Sequence, residues 1–278
     1  MRSAVRACKQ SLISPAFFKP AYLSVDYGGA KSIPDSSQEI THAIRNPNAN
    51  NSTWMITTVI FDLDGLLMDT EPLWHQARVE LFKAFRLVWT ESDQEQCMGL
   101  STSGWVAYMV QRLDGRLSPQ IVQDEIVGRM AHYYSNGLVR ILPGAQEALE
   151  FSSEKFKLGL ASGSYRRLLD AAVQGAGWTK FFAEVVSSDD VSKGKPAPDV
   201  YLEIVRRLGV RMTETVVVED SANGILAGLA AGARAIAVPN LHIRPPQEIL
   251  DKASVVIDSL TLFPAAIAKL TAGMMAKQ

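Results

Sequence analysis

Two aspartates, Asp62 and Asp64, stand at the end of an apolar run of β type, and Gly65 follows them. Residues two apart in a strand point to the same side, so both carboxylates can address one object. An apolar strand that ends in two acids is costly unless the acids lie at the sheet edge and bind or react with something. A carboxylate pair of this kind indicates a divalent cation together with nucleophilic or acid–base chemistry.

Three further clusters of polar residues end apolar runs later in the chain. Ser162 and Gly163 follow one run, and a hydroxyl beside a glycine can bring hydrogen-bond donors close to an anion. Lys195 lies in a loop that prolines restrict, and Glu219 and Asp220 end another run. Acids alone would repel one another and an anionic substrate, so the set predicts a bound Mg²⁺ near Lys195. This combination fits phosphoryl transfer.

The elements that must position these clusters are alternating apolar runs and amphipathic stretches from Thr57 onward. Runs rich in Val, Ile and Leu predict strands buried on both faces of a parallel sheet. These strands are Thr58–Leu63, Leu158–Ala161, Glu184–Ser187, Thr215–Val218, Ala233–Val238 and Ser254–Ile257. The stretches between them predict helices over Ala145–Ser153, Tyr165–Ala176, Asp199–Leu208 and Asn223–Ala231. The predicted fold is α/β with a doubly wound parallel sheet, so the clusters converge at the carboxyl edge of the sheet.

One interval breaks this alternation. Residues 70–140 show helical patterns over Leu73–Phe85, Trp105–Leu113 and Pro119–Tyr134, and no convincing strand. An insertion directly after the first strand predicts a small helical cap domain that covers the edge where Asp62 lies. We therefore expect a core domain over residues 55–69 and 141–265, with residues 266–278 as a C-terminal tail.

Residues 1–54 differ from the rest of the sequence. No acid precedes Asp26, whereas Arg2, Arg6 and Lys9 lie in that stretch, and Pro, Ser, Asn and Gly are frequent after it. Such a composition does not build a core. Two interpretations stay open, an organellar targeting peptide and a dispensable extension or over-extended start before Met55. Neither interpretation contributes to the predicted fold.

The overall composition excludes several classes of function. The net charge is −1, which gives no electrostatic reason to expect a nucleic-acid partner. No stretch approaches the roughly 18 apolar residues that cross a bilayer, so we expect no membrane partner. The two cysteines, Cys8 and Cys97, lie far apart and fit a reducing compartment. We expect a cytoplasmic monomer whose partner is a small phosphorylated metabolite, or an organellar protein if residues 1–54 are a transit peptide.

Four signatures, in order, resemble those of the haloacid dehalogenase superfamily of Mg²⁺-dependent phosphatases. They are Asp62-Leu63-Asp64-Gly65, Ser162 after an apolar strand, Lys195-Pro196, and Glu219-Asp220-Ser221, and the resemblance covers residues 56–262. It implies a Rossmann-like core with an inserted helical cap. The segment Asp69-Thr70-Glu71-Pro72-Leu73-Trp74 resembles the sugar-phosphate and hexitol-phosphate phosphatases, to which β-phosphoglucomutase is related.

The resemblance also implies a role for each site residue. Asp62 is the nucleophile that becomes an aspartyl phosphate, and Asp64 is the general acid and then the general base. Lys195 screens the nucleophile from the phosphate. The expected Mg²⁺ ligands are Asp62, the carbonyl oxygen of Asp64, and Asp220, with Glu219 either a direct ligand or a neighbour of one. The expected substrate-binding residues are Ser162, Gly163, Thr70 and Glu71.

Two departures from β-phosphoglucomutase favour a hydrolase. Trp74 stands where that enzyme keeps a cap histidine, and the neighbouring His75 would point elsewhere on the helix. The segment Gly99-Leu100-Ser101-Thr102 lacks the arginine with which the mutase grips a second phosphate. We therefore expect hydrolysis of small monophosphate esters. The alternatives are a phosphoglucomutase-like isomerase and a non-catalytic sugar-phosphate sensor.

Overall fold

A computed structural model describes residues 55–97, 100, 102–240 and 242–275. All of them lie in the unit that spans Asn51–Gln278. The predictions for residues 1–54 fall outside the described residues, as do Gly99 and Ser101 of the segment compared with the mutase. None of the described helices is long and apolar enough to cross a membrane.

The strands of the described chain form two sheets. Their bounds are Thr58–Phe61 (β1), Met68–Asp69 (β2), Arg140–Ile141 (β3), Lys157–Ala161 (β4), Glu184–Val186 (β5), Thr215–Glu219 (β6), Arg234–Ala237 (β7) and Val255–Val256 (β8). The larger sheet has the order β5-β4-β1-β6-β7-β8, and its neighbouring strands are parallel. This confirms the predicted parallel sheet and places β1 in the middle, between β4 and β6.

Helices cover both faces of this sheet. The core helices are Ala145–Ser153 (α5), Arg166–Gly175 (α6), Asp199–Leu208 (α7), Ala222–Ala231 (α8), Gln247–Leu250 (α9) and Phe263–Met275 (α10). Side chains alternate along β1, so Val59 and Phe61 enter one hydrophobic cluster and Ile60 enters the other. The doubly wound architecture is therefore confirmed.

The cap is a set of helices inserted between β2 and β3. Its helices are Glu71–Ala84 (α1), Glu91–Cys97 (α2), Thr102–Arg112 (α3) and Pro119–Ser135 (α4). The antiparallel pairing of Met68 with Ile141 and of Asp69 with Arg140 closes its base. The sequence does not predict this pairing, because two-residue strands show no periodicity.

The helix α2 was also missed, because polar contacts bury it. Gln94 accepts a hydrogen bond from Trp89 Nε1 at 2.9 Å, and Asp93 accepts one from Tyr108 at 2.7 Å. Arg112 donates to the same Asp93 carboxylate at 2.6 Å through Nε. A segment anchored by side-chain hydrogen bonds carries no apolar pattern.

The C-terminal helix α10 extends the core beyond the predicted boundary at residue 265. The ring of Phe263 lies 5.5 Å from that of Phe61, and Ala266 and Ile267 are buried. The sequence predicts a tail over residues 266–278, whereas the structure shows this helix through Met275. Residues 276–278 of that tail lie outside the described chain.

Candidate active site

The Asp62 side chain lies just past the carboxyl end of β1, at the switch point of the sheet. Its backbone N–H continues the sheet by donating to Val218 O at 3.1 Å, and the residue is 5% exposed. Ligands bind at this point in open α/β sheets, because the connections diverge there and leave a crevice. The predicted nucleophile is therefore buried at the sheet edge where an incoming group could reach it.

Lys195 lies against Asp62. Its Nζ donates to Asp62 Oδ1 at 2.6 Å, to Glu219 Oε1 at 2.5 Å and to Ala161 O at 3.0 Å. Burial would lower the pKa of Lys195, but the charges of Asp62 and Glu219 outweigh it and hold that pKa well above its usual value. The lysine is thus a fixed cation whose donors all point at the site.

A group of carboxylates surrounds this lysine. Oxygen atoms of Asp62, Glu219 and Asp220 all lie within 4.8 Å of one another, and all three residues are buried. Burial and then neighbouring charges raise the pKa of Asp62 well above its usual value, although Lys195 opposes this. Burial and Glu219 likewise raise the pKa of Asp220 to about 7. Lys195 alone does not neutralise these three carboxylates. A set of carboxylate oxygens so close together suits a hard divalent cation.

Two glycines make room for these acids. A Cβ on Gly224 would lie 1.9 Å from Glu219 Oε2, so the glycine leaves the space that the carboxylate fills. Gly65 has φ +84°, and a Cβ there would lie 2.3 Å from Asp220 Oδ2. The glycine after the predicted Asp62-Leu63-Asp64 segment is therefore required by backbone conformation and by the close approach of Asp220.

Asp64 points toward the cap and the end of β4. Its Oδ2 accepts hydrogen bonds from Ser164 Oγ at 2.7 Å and from Ser162 Oγ at 3.1 Å. Its Oδ1 accepts one from the Tyr134 hydroxyl of α4 at 3.0 Å. Burial and then Asp64 raise the pKa of Tyr134 well above its usual value, so this hydroxyl keeps its proton. The predicted acid–base residue is thus tied to both domains.

A haloacid dehalogenase-like hydrolase family model matches residues 59–238, which include all four predicted signatures. The chain belongs to this family. The predicted membership and the predicted enzyme class, a phosphoric monoester hydrolase of the haloacid dehalogenase type, are confirmed.

Two of the relatives to which this chain is similar are named as phosphatases. The phosphorylated carbohydrates phosphatase of Thermotoga maritima is 33% identical over 175 residues, which cover 63% of this chain and 81% of the relative. Hexitol phosphatase B of Escherichia coli O157:H7 is 32% identical over 211 residues, which cover 74% of this chain and 93% of the relative. A crystal structure from Thermotoga maritima, provisionally assigned as a β-phosphoglucomutase, superposes with a TM-score of 0.66 at 28% identity. That alignment covers 77% of this chain and 99% of the other.

A cavity of about 1200 Å³ joins the catalytic end of this haloacid dehalogenase-like hydrolase to its cap. The sheet edge contributes Asp62, Asp64, Ser162, Gly163, Lys195 and Asp220 to the lining, and the cap contributes Glu71, Trp74, Arg78, Trp105 and Gln123. All the predicted site residues except two therefore line this cavity. Thr70 is buried and lies outside the lining, and its side chain interacts with Tyr134. Glu219 is also outside the lining, behind Lys195.

Sequence reasoning missed several residues that shape the site. Tyr201 donates to Glu219 Oε1, and Asn240 donates to Asp220 Oδ2 at 2.5 Å. Tyr134 and Arg78 approach from the cap. Tyr201 and Arg78 lie on predicted helices, but a helical pattern tells which residues share a face and not what that face meets.

Proposed function

We propose that the chain hydrolyses phosphate monoesters of small polyhydroxylated metabolites, such as sugar or sugar-alcohol phosphates, through a phosphorylated Asp62 and with Mg²⁺. The observation that carries this proposal is the Asp62 carboxylate itself, buried at the switch point beside one lysine and two further acids. The names of the two phosphatase relatives support the substrate class.

In the proposed first step, an Asp62 oxygen attacks phosphorus and the bond from phosphorus to the ester oxygen breaks. Asp64 gives its proton to the departing alkoxide, which leaves as an alcohol. In the second step, Asp64 takes a proton from a water molecule whose oxygen attacks the phosphorus of the aspartyl phosphate. Inorganic phosphate leaves and Asp62 is restored. The hydrogen bonds from Ser164, Ser162 and Tyr134 hold Asp64 near Asp62 for both proton transfers.

The metal would be held by Asp62 and Asp220, together with the Asp64 carbonyl oxygen. When bound, Mg²⁺ supplies the positive charge that lets an anion approach a phosphate dianion. The sequence leaves open whether Glu219 binds the metal directly or lies beside a ligand. Its Oε1 already accepts from Lys195 and Tyr201, and its Oε2 accepts from Ser221 at 3.3 Å. We propose that Glu219 fixes Lys195 rather than binding the metal directly.

Lys195 is the protein's own source of charge compensation. Two like unit charges about 4 Å apart repel by roughly 4 kcal/mol at an effective dielectric of about 20. The attacking carboxylate meets a dianion, so the uncompensated penalty would slow the reaction by several powers of ten. Because its pKa is raised, Lys195 stays protonated, and its 2.6 Å contact to Asp62 offsets part of the repulsion between the carboxylate and the phosphate.

The substrate would lie in the cavity with its phosphoryl group near Ser162 and Gly163 and its alcohol portion toward Glu71. In this arrangement Thr70 supports Tyr134 instead of touching substrate. A monomeric state and a cytoplasmic location remain predictions.

The test is turnover of p-nitrophenyl phosphate with and without Mg²⁺. We expect Mg²⁺-dependent release of phosphate and loss of activity in Asp62→Asn with an unchanged circular dichroism spectrum. Near-normal turnover by Asp62→Asn would contradict the mechanism, and no turnover by the wild-type protein would favour a sensor. Conversion of glucose 1-phosphate to glucose 6-phosphate, instead of phosphate release, would favour an isomerase.

A further inference from the structure

Arg78 is a buried cation in the cap whose donors are not fully used. It lies on α1, is 5% exposed and lines the cavity that holds Asp62. Within the described residues, its Nε and Nη1 have no hydrogen-bond acceptor. The Glu71 carboxylate forms an ion pair with Arg78, but 3.7 Å separates Arg78 Nη1 from Glu71 Oε1, which is too long for a hydrogen bond.

Another cap arginine shows what a structural role looks like. Arg112 donates to Asp93 through Nε at 2.6 Å and through Nη2 at 3.0 Å, so its guanidinium is paired on one face. Asp93 also accepts from Tyr108. Among the side chains that the structure describes, none pairs with Arg78 in a comparable arrangement, although Arg78 is more buried than Arg112. Buried donors without acceptors are costly, so they point to an acceptor that arrives with the ligand.

We propose that Arg78 and Glu71 form a subsite for neighbouring hydroxyl groups at the end of the substrate remote from the phosphoryl group. The proposal rests on the proposed phosphatase function, because it concerns the alcohol portion of that substrate. It makes Arg78 the residue that selects for hydroxyl-rich substrates. A hydroxyl group can accept from Arg78 and donate to Glu71, which fills the gap between the two side chains.

Three neighbours favour this chemistry. Gln94 Nε2 donates to Glu71 Oε1 at 2.5 Å, which fixes the carboxylate while its other oxygen remains an acceptor. The Trp74 ring lies under the guanidinium, with Arg78 Cζ 5.8 Å from the ring centroid. Trp74 and Trp105, whose ring centroids are 6.1 Å apart, both line the cavity and offer apolar faces to C–H groups. Charged donors and acceptors beside aromatic faces suit a polyol chain.

Charge balance argues against a second acidic group at this subsite. A carboxylate or second phosphate near Arg78 would be attracted by the guanidinium but repelled by Glu71 at similar range. The two effects nearly cancel, and the group would still lose its hydration. A neutral hydroxyl avoids the repulsion and uses both side chains.

The experiment measures binding in the Asp62→Asn background, so it does not depend on turnover. Calorimetry would compare a hexitol 6-phosphate, a phosphorylated sugar acid and inorganic phosphate for Asp62→Asn alone and combined with Arg78→Met or Arg78→Lys. Arg129→Gln is the matched control, because Arg129 is a cap arginine outside the cavity lining that pairs with Glu125.

We expect Arg78→Met to raise the Kd for the hexitol phosphate by roughly 10- to 100-fold relative to inorganic phosphate. Arg78→Lys should recover part of the loss, and Arg129→Gln should change nothing. In active protein, the ratio of kcat/KM for the hexitol phosphate to that for p-nitrophenyl phosphate should fall by a similar factor. The melting temperature of Arg78→Met should not fall, because the residue has unused donors.

Three results would overturn the subsite. The first is that Arg78→Met binds the hexitol phosphate, relative to inorganic phosphate, as tightly as the protein with Arg78 does. The second is that the protein with Arg78 binds the phosphorylated sugar acid more tightly than the hexitol phosphate, and that Arg78→Met abolishes this preference. The third is a large fall in melting temperature with unchanged binding, which would make Arg78 structural. Absence of turnover with intact hexitol-phosphate binding would instead contradict the proposed function and leave the subsite standing.

Discussion

Replacing Gly224 by alanine should damage the active site, because the added Cβ would displace the buried Glu219 carboxylate. A Cβ at this position would lie 1.9 Å from Glu219 Oε2 and 2.1 Å from Oε1. Ordinary contact begins near 3.4 Å, so the carboxylate must retreat by roughly 1.5 Å. That displacement exceeds what its 2.5 Å bond to Lys195 can tolerate.

The cost follows from the bonds that Glu219 makes. Its Oε1 accepts from Lys195 and from Tyr201, and both bonds are buried. Hydrogen bonds to a buried charged group contribute about 1.5–3 kcal/mol each, so losing two weakens the site by roughly 3–6 kcal/mol. If half of that loss reaches the transition state, kcat falls by roughly 10–100-fold. Replacing a helical glycine by alanine would by itself stabilise α8 by about 1 kcal/mol. This gain is smaller than the loss from the two hydrogen bonds, so we expect the substitution to destabilise the site.

The assay is kcat for p-nitrophenyl phosphate at saturating Mg²⁺, with the melting temperature measured in parallel. Gly128→Ala is the matched control, because Gly128 also lies in a helix and a Cβ there would meet nothing within 4 Å. We expect Gly128→Ala to keep wild-type activity and to melt at the same or a higher temperature. Wild-type kcat and stability in Gly224→Ala would refute the argument that Glu219 fixes Lys195.

Three further predictions concern single groups of the site. Tyr134→Phe removes the hydroxyl that donates to Asp64 at 3.0 Å, so kcat should fall by roughly 3–10-fold with little change in melting temperature. A kcat equal to that of the wild-type protein would show that this hydrogen bond does not contribute to catalysis. Lys195→Met should lower kcat by at least about 10³-fold, whereas Lys193→Met, on the exposed part of the same loop, should not change it; comparable losses in both variants would contradict the assignment. Burial and Glu219 raise the pKa of Asp220 from 3.8 to about 7, so the folded protein holds this proton more tightly than the unfolded chain does. This contribution makes metal-free protein less stable as pH rises from about 4 to about 7. Mg²⁺ should therefore raise the melting temperature more at pH 8 than at pH 5, and an equal or smaller rise at pH 8 would contradict the cluster as the binding site.

The catalytic end of the molecule was predictable because of a simple topological rule. Asp62, Ser162 and Glu219 each follow an apolar run, and parallel strands bring their carboxyl ends to one edge. The register of β1 with β4 and β6 then places these ends side by side. Buried strands of four or five residues carry enough Val, Ile and Leu to be recognised without an alignment.

The cap side of the site was not predictable in the same way. Tyr134 is separated from Asp64 by 70 residues, and the packing of α4 on α1 and on the core helix α6, together with the pairing of β2 with β3, brings them together. Arg78 shows one signal in the sequence, a cation amid the residues of α1 that become buried. Its direction depends on how the cap lies over the sheet, which helical periodicity does not specify.

The boundary at the C-terminus was missed for a different reason. Phe263, Ile267 and Leu270 recur at helical spacing, which is a readable pattern of an amphipathic helix. Alanine-rich stretches near a chain end resemble tails in composition, and the helix is identified as core only because Phe263 packs against Phe61 and Phe151.

The most direct test of the account is a crystal structure with Mg²⁺ and beryllium trifluoride, which mimics a phosphoryl group on a carboxylate. The account predicts beryllium bonded to an Asp62 oxygen, with Lys195 in contact with a fluorine and a cation between Asp62 and Asp220. Beryllium trifluoride bound elsewhere, or no cation between these two acids, would contradict the claim that Asp62 carries the phosphoryl group.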